Sequence, residues 1–243
     1  MTALIAGADG CRSGWFCVIL EAETGAALEA VIVPHIKMLI ARDDLAMIAV
    51  DMPIGIPGTA SSGGRACDAA LRRHLGGRQS SVFAVPARAA LTEEDFAKAS
   101  EAAFAHSQPP RRVSRQCFHL FPKIREVDAL MTPAMQARVV ECHPEGAFWA
   151  MNGRQPLTEP KKVKSQAYAP GLALRRGLLL RAGMTAEFLA ERRFKASAAG
   201  EDDFLDACAC AWTARRVLRG EAVRFPESAP PLDPRGLRME IWA

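Results

Sequence analysis

The chain has 243 residues, of which 49% are hydrophobic and 24% are charged. This composition supplies enough apolar material for a large core, so it excludes a disordered or collagen-like chain. The formal net charge of +4 permits binding to a polyanion but does not require it.

The first fifty residues alternate apolar runs with turn signals, which predicts strands joined by short connections. A short helix is predicted between Pro34 and Arg42. The strand that follows it stops at Asp51, because two prolines and a glycine come directly after that residue. The predicted strands of this part of the chain are 4–8, 15–20, 28–33 and 47–50.

Residues 58–135 differ in character from the segment before them. Helices are predicted at 65–75 and 93–105, between loops rich in Gly, Ser, Pro and Arg, and no long strand is predicted. We interpret this segment as a helical and loop insertion on one face of a single domain that spans residues 1–243.

Strand signals return at 137–142, and Pro144 then begins a helix that an Asn-Gly pair ends. Further helices are predicted at 172–182 and 202–218. The last of these has acids in its first turn and arginines in its last turn, as the helix dipole favours. Strands mixed with helices in this way indicate the α/β class.

The chain shows no sign of a membrane segment or of disulfides. No apolar run approaches the ~18 residues that span a bilayer, and the N-terminus lacks the basic segment of a signal peptide. The seven cysteines contain no Cys-x-x-Cys motif and do not cluster with histidines at zinc-ligand spacing. We therefore expect a cytoplasmic protein with reduced thiols and no membrane contact.

Acidic residues occur where the predicted elements should meet. Asp9, Asp51 and Glu141 end predicted strands, and Asp203 and Asp206 share one face of the last helix. Carboxylates gathered at one edge of a sheet repel one another unless a cation lies between them. Ligand sets made only of oxygen suit Mg²⁺ or Mn²⁺, and two such ions about 4 Å apart serve phosphate chemistry.

Each of these acids also has an ordinary structural interpretation. An aspartate at a strand end is often a turn residue, and Asp202 or Asp203 could simply cap the last helix. Asp206 is the most informative of the set, because it lies inside an apolar, Ala- and Cys-rich helix where an unpaired carboxylate would be destabilising.

Four motifs carry a resemblance to a known family. The sequence resembles the domain of unknown function 429 family, a predicted nuclease branch of the ribonuclease-H-like superfamily. The motifs are GADGCRSGW at 7–15, VDMPIG at 50–55, VVECHPE at 139–145 and DFLDA at 203–207. The resemblance implies a mixed five-stranded sheet flanked by helices, with strands 1–3 antiparallel and strands 4 and 5 parallel to strand 1.

Similarity to RuvC-type resolvases within that superfamily implies roles for the acids. Asp9, Asp51 and Asp206 would be ligands of Mg²⁺ or Mn²⁺, with Glu141 and Asp203 as further ligands or water-orienting catalytic residues. The sequence departs from the resolvases at one position, since their fourth-strand acid is usually Glu and here it is the shorter Asp51.

Basic residues near these acids are candidates for binding a phosphodiester backbone. Residues 160–195 contain nine Lys and Arg, and the insertion adds more, although a solvated basic helix face would explain them equally well. The candidate substrate contacts lie beside turns or in the basic loop, and they are Arg65, Arg78, Ser80, Ser81, Lys161 and Lys162.

The leading hypothesis is a metal-dependent phosphodiester hydrolase, a nuclease acting on DNA or RNA, for which action on two strands would favour a homodimer. One alternative is a non-catalytic binding or scaffold protein on the same fold. A less favoured alternative is a nucleotide-binding protein like actin or the sugar kinases. Those proteins need a second Gly-rich phosphate loop, whereas the later glycines of this chain are isolated.

Overall fold

The structure is a computed structural model that describes residues 3–190 and 194–243. Its strands are β1 (Leu4–Cys11), β2 (Gly14–Glu21), β3 (Ala27–Val33), β4 (Leu45–Val50), β5 (Ala60–Ser61), β6 (Ser107–Gln108), β7 (Val139–Glu141), β8 (Lys162–Val163), β9 (Gln166–Ala167), β10 (Arg224–Phe225) and β11 (Ile241–Trp242). Its α-helices are α1 (Lys37–Ile40), α2 (Ala66–Arg72), α3 (Arg88–Leu91), α4 (Phe96–Ala105), α5 (Arg115–Phe118), α6 (Phe121–Leu130), α7 (Pro144–Met151), α8 (Ala169–Arg181), α9 (Ala186–Ala190) and α10 (Glu201–Leu218). Short 3₁₀ helices are found at Gly76–Ser81 and Met135–Ala137.

The central sheet has five strands in the order β3-β2-β1-β4-β7. Strands β1, β2 and β3 form an antiparallel meander. Strand β4 runs parallel to β1, and β7 runs parallel to β4. This is the strand arrangement of a ribonuclease-H-like α/β fold, so the predicted fold class is confirmed.

Strand β2 is buried on both faces, as its uninterrupted apolar sequence predicts. Phe16 and Val18 belong to an apolar cluster shared with helices α7, α8 and α10. Trp15 and Cys17 point the other way, into a cluster shared with α1 and with the helices of the insertion. The sheet is therefore the middle layer of three.

The insertion is attached to the sheet through buried contacts of α6. Glu126 accepts hydrogen bonds from the indole N–H of Trp15 at 2.9 Å and from the backbone N–H of Ile36 at 2.6 Å. Helices α2 and α4 lie within the ranges predicted from the sequence, whereas α6 was not predicted.

Helix α10 packs unusually close to β1. A Cβ atom at Gly7 would lie 2.0 Å from the backbone nitrogen of Ala211 and 2.3 Å from the carbonyl oxygen of Ala207, so only glycine fits there. The small side chains of α10 that face the sheet allow this approach. As a consequence, the N-terminal half of α10 lies beside the end of β1.

One predicted boundary is corrected by the structure. Strand β1 continues to Cys11 instead of ending at residue 8, so Asp9 lies within the strand and is paired with Phe16 of β2. The hairpin turn comes later, at Arg12 and Ser13, and Gly14, which begins β2, has a φ of +132° that favours glycine.

The seven cysteines are free and buried. Within residues 3–190 and 194–243, no helix has both the length and the apolar character needed to cross a membrane.

Candidate metal centre

Three carboxylates meet at the carboxyl-terminal edge of the central sheet. Asp9 comes from β1, Asp51 directly follows β4, and Asp206 lies in the second turn of α10. Each offers one oxygen atom, and these oxygens all lie within 4.8 Å of one another. The three acids that the sequence singled out as metal ligands are therefore brought together.

The backbone explains why these three positions coincide. Parallel pairing places Ala8 beside Val50, and the N–H of Asp51 donates to the carbonyl of Ala8 at 2.8 Å. Asp9 directly follows Ala8, and Asp51 directly follows Val50, so the two acids lie side by side. Close packing of α10 at Gly7 brings Asp206 to the same edge from one side of the sheet.

Burial dominates the electrostatics of this cluster. It raises the pKa of Asp51 to about 7 and the pKa of Asp206 to about 6. Burial also raises the pKa of Asp9 well above the ordinary value, with further contributions from Asp51 and Asp206. The Oδ1 atom of Asp206 is buried and has no hydrogen-bond partner, so the cluster is short of positive charge or donors at this atom.

Within the described part of the chain, one side-chain cation, Lys161, bonds to the cluster. The Nζ atom of Lys161 donates to Oδ2 of Asp206, and the lysine side chain is 28% exposed. Burial alone would lower the pKa of Lys161, but Asp206, Asp9 and Asp51 together raise it above the ordinary value, so the ammonium is charged. Lys161 was predicted to contact substrate, and the structure places its Nζ atom on Asp206 and its side chain in the lining of the cavity.

The acids in the first turn of α10 have separate partners. Oδ2 of Asp203 accepts a hydrogen bond from the N–H of Gly200 at 2.8 Å, which caps the helix, and the half-buried side chain lines the cavity beside the cluster. Burial raises the pKa of Asp203. Asp202 forms an ion pair with Lys162 at 2.6 Å, with the lysine side chain 44% exposed at the rim.

Glu141 belongs to a different charged group. Its two oxygens accept hydrogen bonds from Nη1 and Nη2 of Arg65 at 2.8 Å and 2.5 Å, and Oε2 also accepts from the N–H of Ile54 at 2.7 Å. Burial raises the pKa of Glu141 to about 7, and the Arg65 guanidinium opposes that rise. Glu141 thus binds Arg65 and the loop after Asp51, and it lines the same cavity as Asp9 and Asp51.

Arg65 is buried and fully occupied by the protein itself. Its Nε and Nη2 atoms donate to Asp68, and Nη1 donates to the carbonyls of Ile54 at 3.0 Å and Gly55 at 3.2 Å as well as to Glu141. A guanidinium has five N–H donors, and each has a partner here. The arginine that we expected to bind substrate therefore holds the loop that follows Asp51.

Glu145 and Arg175 form a buried ion pair that sequence reasoning missed. Nε and Nη2 of Arg175 donate to Oε1 of Glu145 at 3.2 Å and 2.5 Å, while Oε2 of Glu145 is buried without a partner and the residue lines the cavity. Arg175 is one of the nine basic residues of segment 160–195. The sequence does indicate that Arg175 is buried, because it lies three residues after Leu172 and three before Leu178, on the apolar face of α8.

A cavity of about 390 Å³ opens beside the carboxylates. Asp9, Asp51 and Lys161 line one side, and residues of the insertion such as Ser81 and His119 line the other. The other candidate substrate contacts of the insertion, Arg78 and Ser80, belong to the 3₁₀ helix that ends at Ser81. Two arginines of the basic segment, Arg192 and Arg193, lie outside the described residues.

With this geometry established, comparison with known proteins identifies the family. The profile of a family described as "Protein of unknown function (DUF429)" matches residues 7–230. The chain belongs to this family. The predicted resemblance is thereby confirmed, and the match includes all the acidic residues discussed above. Neither a curated protein nor a solved structure matches the chain.

The acidic cluster of this DUF429 chain fits a hard divalent cation. Its ligands are all carboxylate oxygens, which Mg²⁺ and Mn²⁺ prefer. A Mg²⁺ ion bound at about 2.0–2.1 Å places its ligand oxygens about 3–4 Å apart, and the three oxygens, all within 4.8 Å of one another, lie close to that spacing. The unpartnered Oδ1 of Asp206 is an atom that such an ion would satisfy.

The charge distribution around the site supports the same fit. Among the described residues, Asp9 is the only buried acid without an ion pair to an Arg or Lys side chain. The paired acids and their cations are Asp68 and Glu141 with Arg65, Glu145 with Arg175, Asp202 with Lys162, Asp206 with Lys161, Asp233 with Arg88, and Glu240 with Arg238. Positive charge is therefore deficient at the cluster and balanced elsewhere.

Proposed function

We propose that this DUF429 protein is a Mg²⁺- or Mn²⁺-dependent hydrolase of phosphodiester bonds in nucleic acid. The observation that carries the proposal is the convergence of Asp9, Asp51 and Asp206 within 4.8 Å at the edge of a ribonuclease-H-like sheet. A buried three-carboxylate cluster is unstable without positive charge, and an ion there would lie at the wall of an open cavity.

The side chains around the cavity have distinct tasks in this proposal. Asp9, Asp51 and Asp206 hold the ion, which when bound supplies Lewis acidity and a water of lowered pKa. Asp203, half-buried at the cavity wall, accepts a hydrogen bond from a water entering the site. Lys162 and the residues around Ser81 lie where the backbone of a nucleic acid would cross the opening.

The buried pairs keep these groups in position. Glu141 and Arg65 hold the loop after Asp51, and Glu145 and Arg175 hold the start of α7 against α8. In this proposal neither pair touches the reacting atoms. Both fix the two walls of the cavity, so that the position of the three ligands does not depend on mobile loops.

A second candidate function is a non-catalytic binding protein. One observation favours it: Lys161 already contributes a positive charge to Asp206, so the cluster is partly neutralised without any metal. The two candidates differ in whether a divalent ion binds and whether its binding produces cleavage.

The test is a cleavage assay on branched, single-stranded and hybrid nucleic acids with Mn²⁺, with Mg²⁺ and with a chelator. We expect metal-dependent cleavage that falls by more than about 100-fold in Asp9→Asn, because one ligand of a preorganised charged centre is lost. The matched control is Asp43→Asn, an exposed acid remote from the cavity, which should retain activity. Mn²⁺ binding without cleavage of any substrate would favour the binding protein.

A further inference from the structure

The backbone on either side of Lys161 is fixed by specific contacts. A Cβ atom at Gly171 would lie 1.7 Å from the carbonyl oxygen of Pro160, so the segment passes directly over α8. Nη1 of the buried Arg175 donates to the carbonyl of Glu159 at 3.0 Å, and the N–H of Tyr168 donates to the carbonyl of Lys161 at 2.9 Å. Lys161 is therefore held at the cluster by the structure around it.

The neighbouring lysine forms a more exposed ion pair beside the same cavity. Lys162 pairs with Asp202 at the rim, where its side chain is 44% exposed. Lys161 reaches further in and contacts Asp206, whose side chain is only 1% exposed. An ion pair at that depth is poorly screened by solvent, so the Lys161 ammonium is a stable part of the cluster.

The ligand atoms that remain suffice for one ion. Lys161 occupies Oδ2 of Asp206 and leaves Oδ1 unpartnered, and Arg65 binds both oxygens of Glu141. The three clustered carboxylates carry three negative charges, which one ammonium and one divalent ion balance. A second divalent ion would leave the three carboxylates and Lys161 with an excess of positive charge.

We propose that the Lys161 ammonium takes the place of a second metal ion, so that this DUF429 protein binds one divalent cation, through Asp9, Asp51 and Oδ1 of Asp206. The inference rests on the proposed function, because it assumes that the cluster is a metal site. It differs from the expectation of a two-ion centre that the fold family suggests.

The experiment counts bound Mn²⁺ per full-length chain by calorimetric titration and by the metal content of the folded, desalted protein. We expect one ion in the wild type, two in Lys161→Met, and one in Lys161→Arg, which keeps the charge. Lys162→Met is the matched control and should bind one ion. If Lys161→Met unfolds in chelator, it is refolded with Mn²⁺ and its metal content is counted in that state.

The outcomes separate this inference from the proposed function. A wild type that binds two ions, or a Lys161→Met variant that still binds one, overturns the inference while leaving a metal centre in place. A wild type that binds no Mn²⁺ contradicts the metal centre itself, and with it both proposals. If Lys161→Met binds two ions, we also expect its Tm in chelator to be lower than that of the wild type and to be restored by Mn²⁺.

Discussion

Arg65 joins two acids and the loop after Asp51 in the wall of the cavity. It is buried against Asp68 and Glu141, and it also binds the carbonyls of Ile54 and Gly55. Removing one member of a buried ion pair leaves the partner charges unsolvated, which is far more destabilising than losing an exposed pair.

We expect Arg65→Met to lower the free energy of unfolding by about 3–5 kcal/mol, since two buried carboxylates lose their partner. In a chain of this size that loss corresponds to a Tm lower by about 10 °C. The control is Arg42→Met, whose partners Glu29 and Asp44 are exposed, with an expected change below about 1 kcal/mol. Thermal unfolding of both variants measures the difference, and equal losses would contradict the assigned role.

The residues of the cluster differ in how well sequence could find them. Asp9 and Asp51 adjoin short apolar runs, and Asp206 interrupts an apolar helix, so each carries a local signal. The pairing of Glu141 with Arg65 joins residues 76 positions apart, and no local pattern indicates it. The sequence therefore predicted Glu141 as a site residue and Arg65 as a substrate contact, and it did not reveal that the two residues bind each other.

At the level of elements, α8 contains two glycines with opposite surroundings. Gly171 lies under the carbonyl of Pro160, whereas a Cβ atom at Gly177 would meet only the end of the Arg181 side chain, at 3.7 Å. The first glycine allows the segment that carries Lys161 to cross the helix closely. The second has no such neighbour, and there alanine is simply the better helix former.

Alanine at these two positions should therefore act in opposite directions. Gly171→Ala is expected to lower the free energy of unfolding by about 2 kcal/mol or more and to weaken Mn²⁺ binding, because the segment of Lys161 is displaced. Gly177→Ala should raise stability by about 0.5–1 kcal/mol and leave Mn²⁺ binding unchanged. Denaturant unfolding and calorimetry compare the two, and a neutral Gly171→Ala would argue against the close crossing.

Elements with a strong repeating pattern were predictable, and short elements within loops were not. The five strands of the sheet and helix α10 follow apolar runs that are long enough to be recognised. Helix α6 was missed although Phe121, Ile124 and Val127 are buried at helical spacing, because it has a proline in its first turn and follows a Pro- and Arg-rich loop. Strand β1 was predicted too short because Asp9 and Gly10 are residue types typical of turns. Their place in the strand depends on pairing with Phe16 and Trp15 of β2, which the residue types alone do not indicate.

At the scale of the whole molecule, the three-layer arrangement explains why the carboxylates are buried. Helix α10 covers one face of the sheet and the insertion covers the other, so the edge where Asp9, Asp51 and Asp206 meet lies between two apolar layers. The cavity opens onto this edge at Asp9 and Asp51. The folded protein therefore holds protons on these acids at a pH where the unfolded chain has lost them.

This difference makes the stability of the metal-free protein depend on pH in a defined direction. Folding raises the pKa of Asp51 from 3.8 to about 7 and that of Asp206 from 3.8 to about 6. Between about pH 4 and pH 7 the folded state binds more protons than the unfolded state, so stability falls as pH rises. Glu141, whose pKa is also raised to about 7 by burial, contributes with the same sign.

We expect the Tm of the metal-free protein to fall by several degrees from pH 5.5 to pH 8, for a loss of about 1–3 kcal/mol. Mn²⁺ competes with protons for the same oxygens, so a saturating concentration should stabilise most at pH 8 and remove the fall. Asp51→Asn should show a smaller pH dependence and weaker Mn²⁺ stabilisation than the wild type, which separates the cluster from Glu141. A Tm that rises over this interval in chelator would show that the three carboxylates are ionised and satisfied without a metal, and a divalent ion would then have no role in holding this edge of the sheet together.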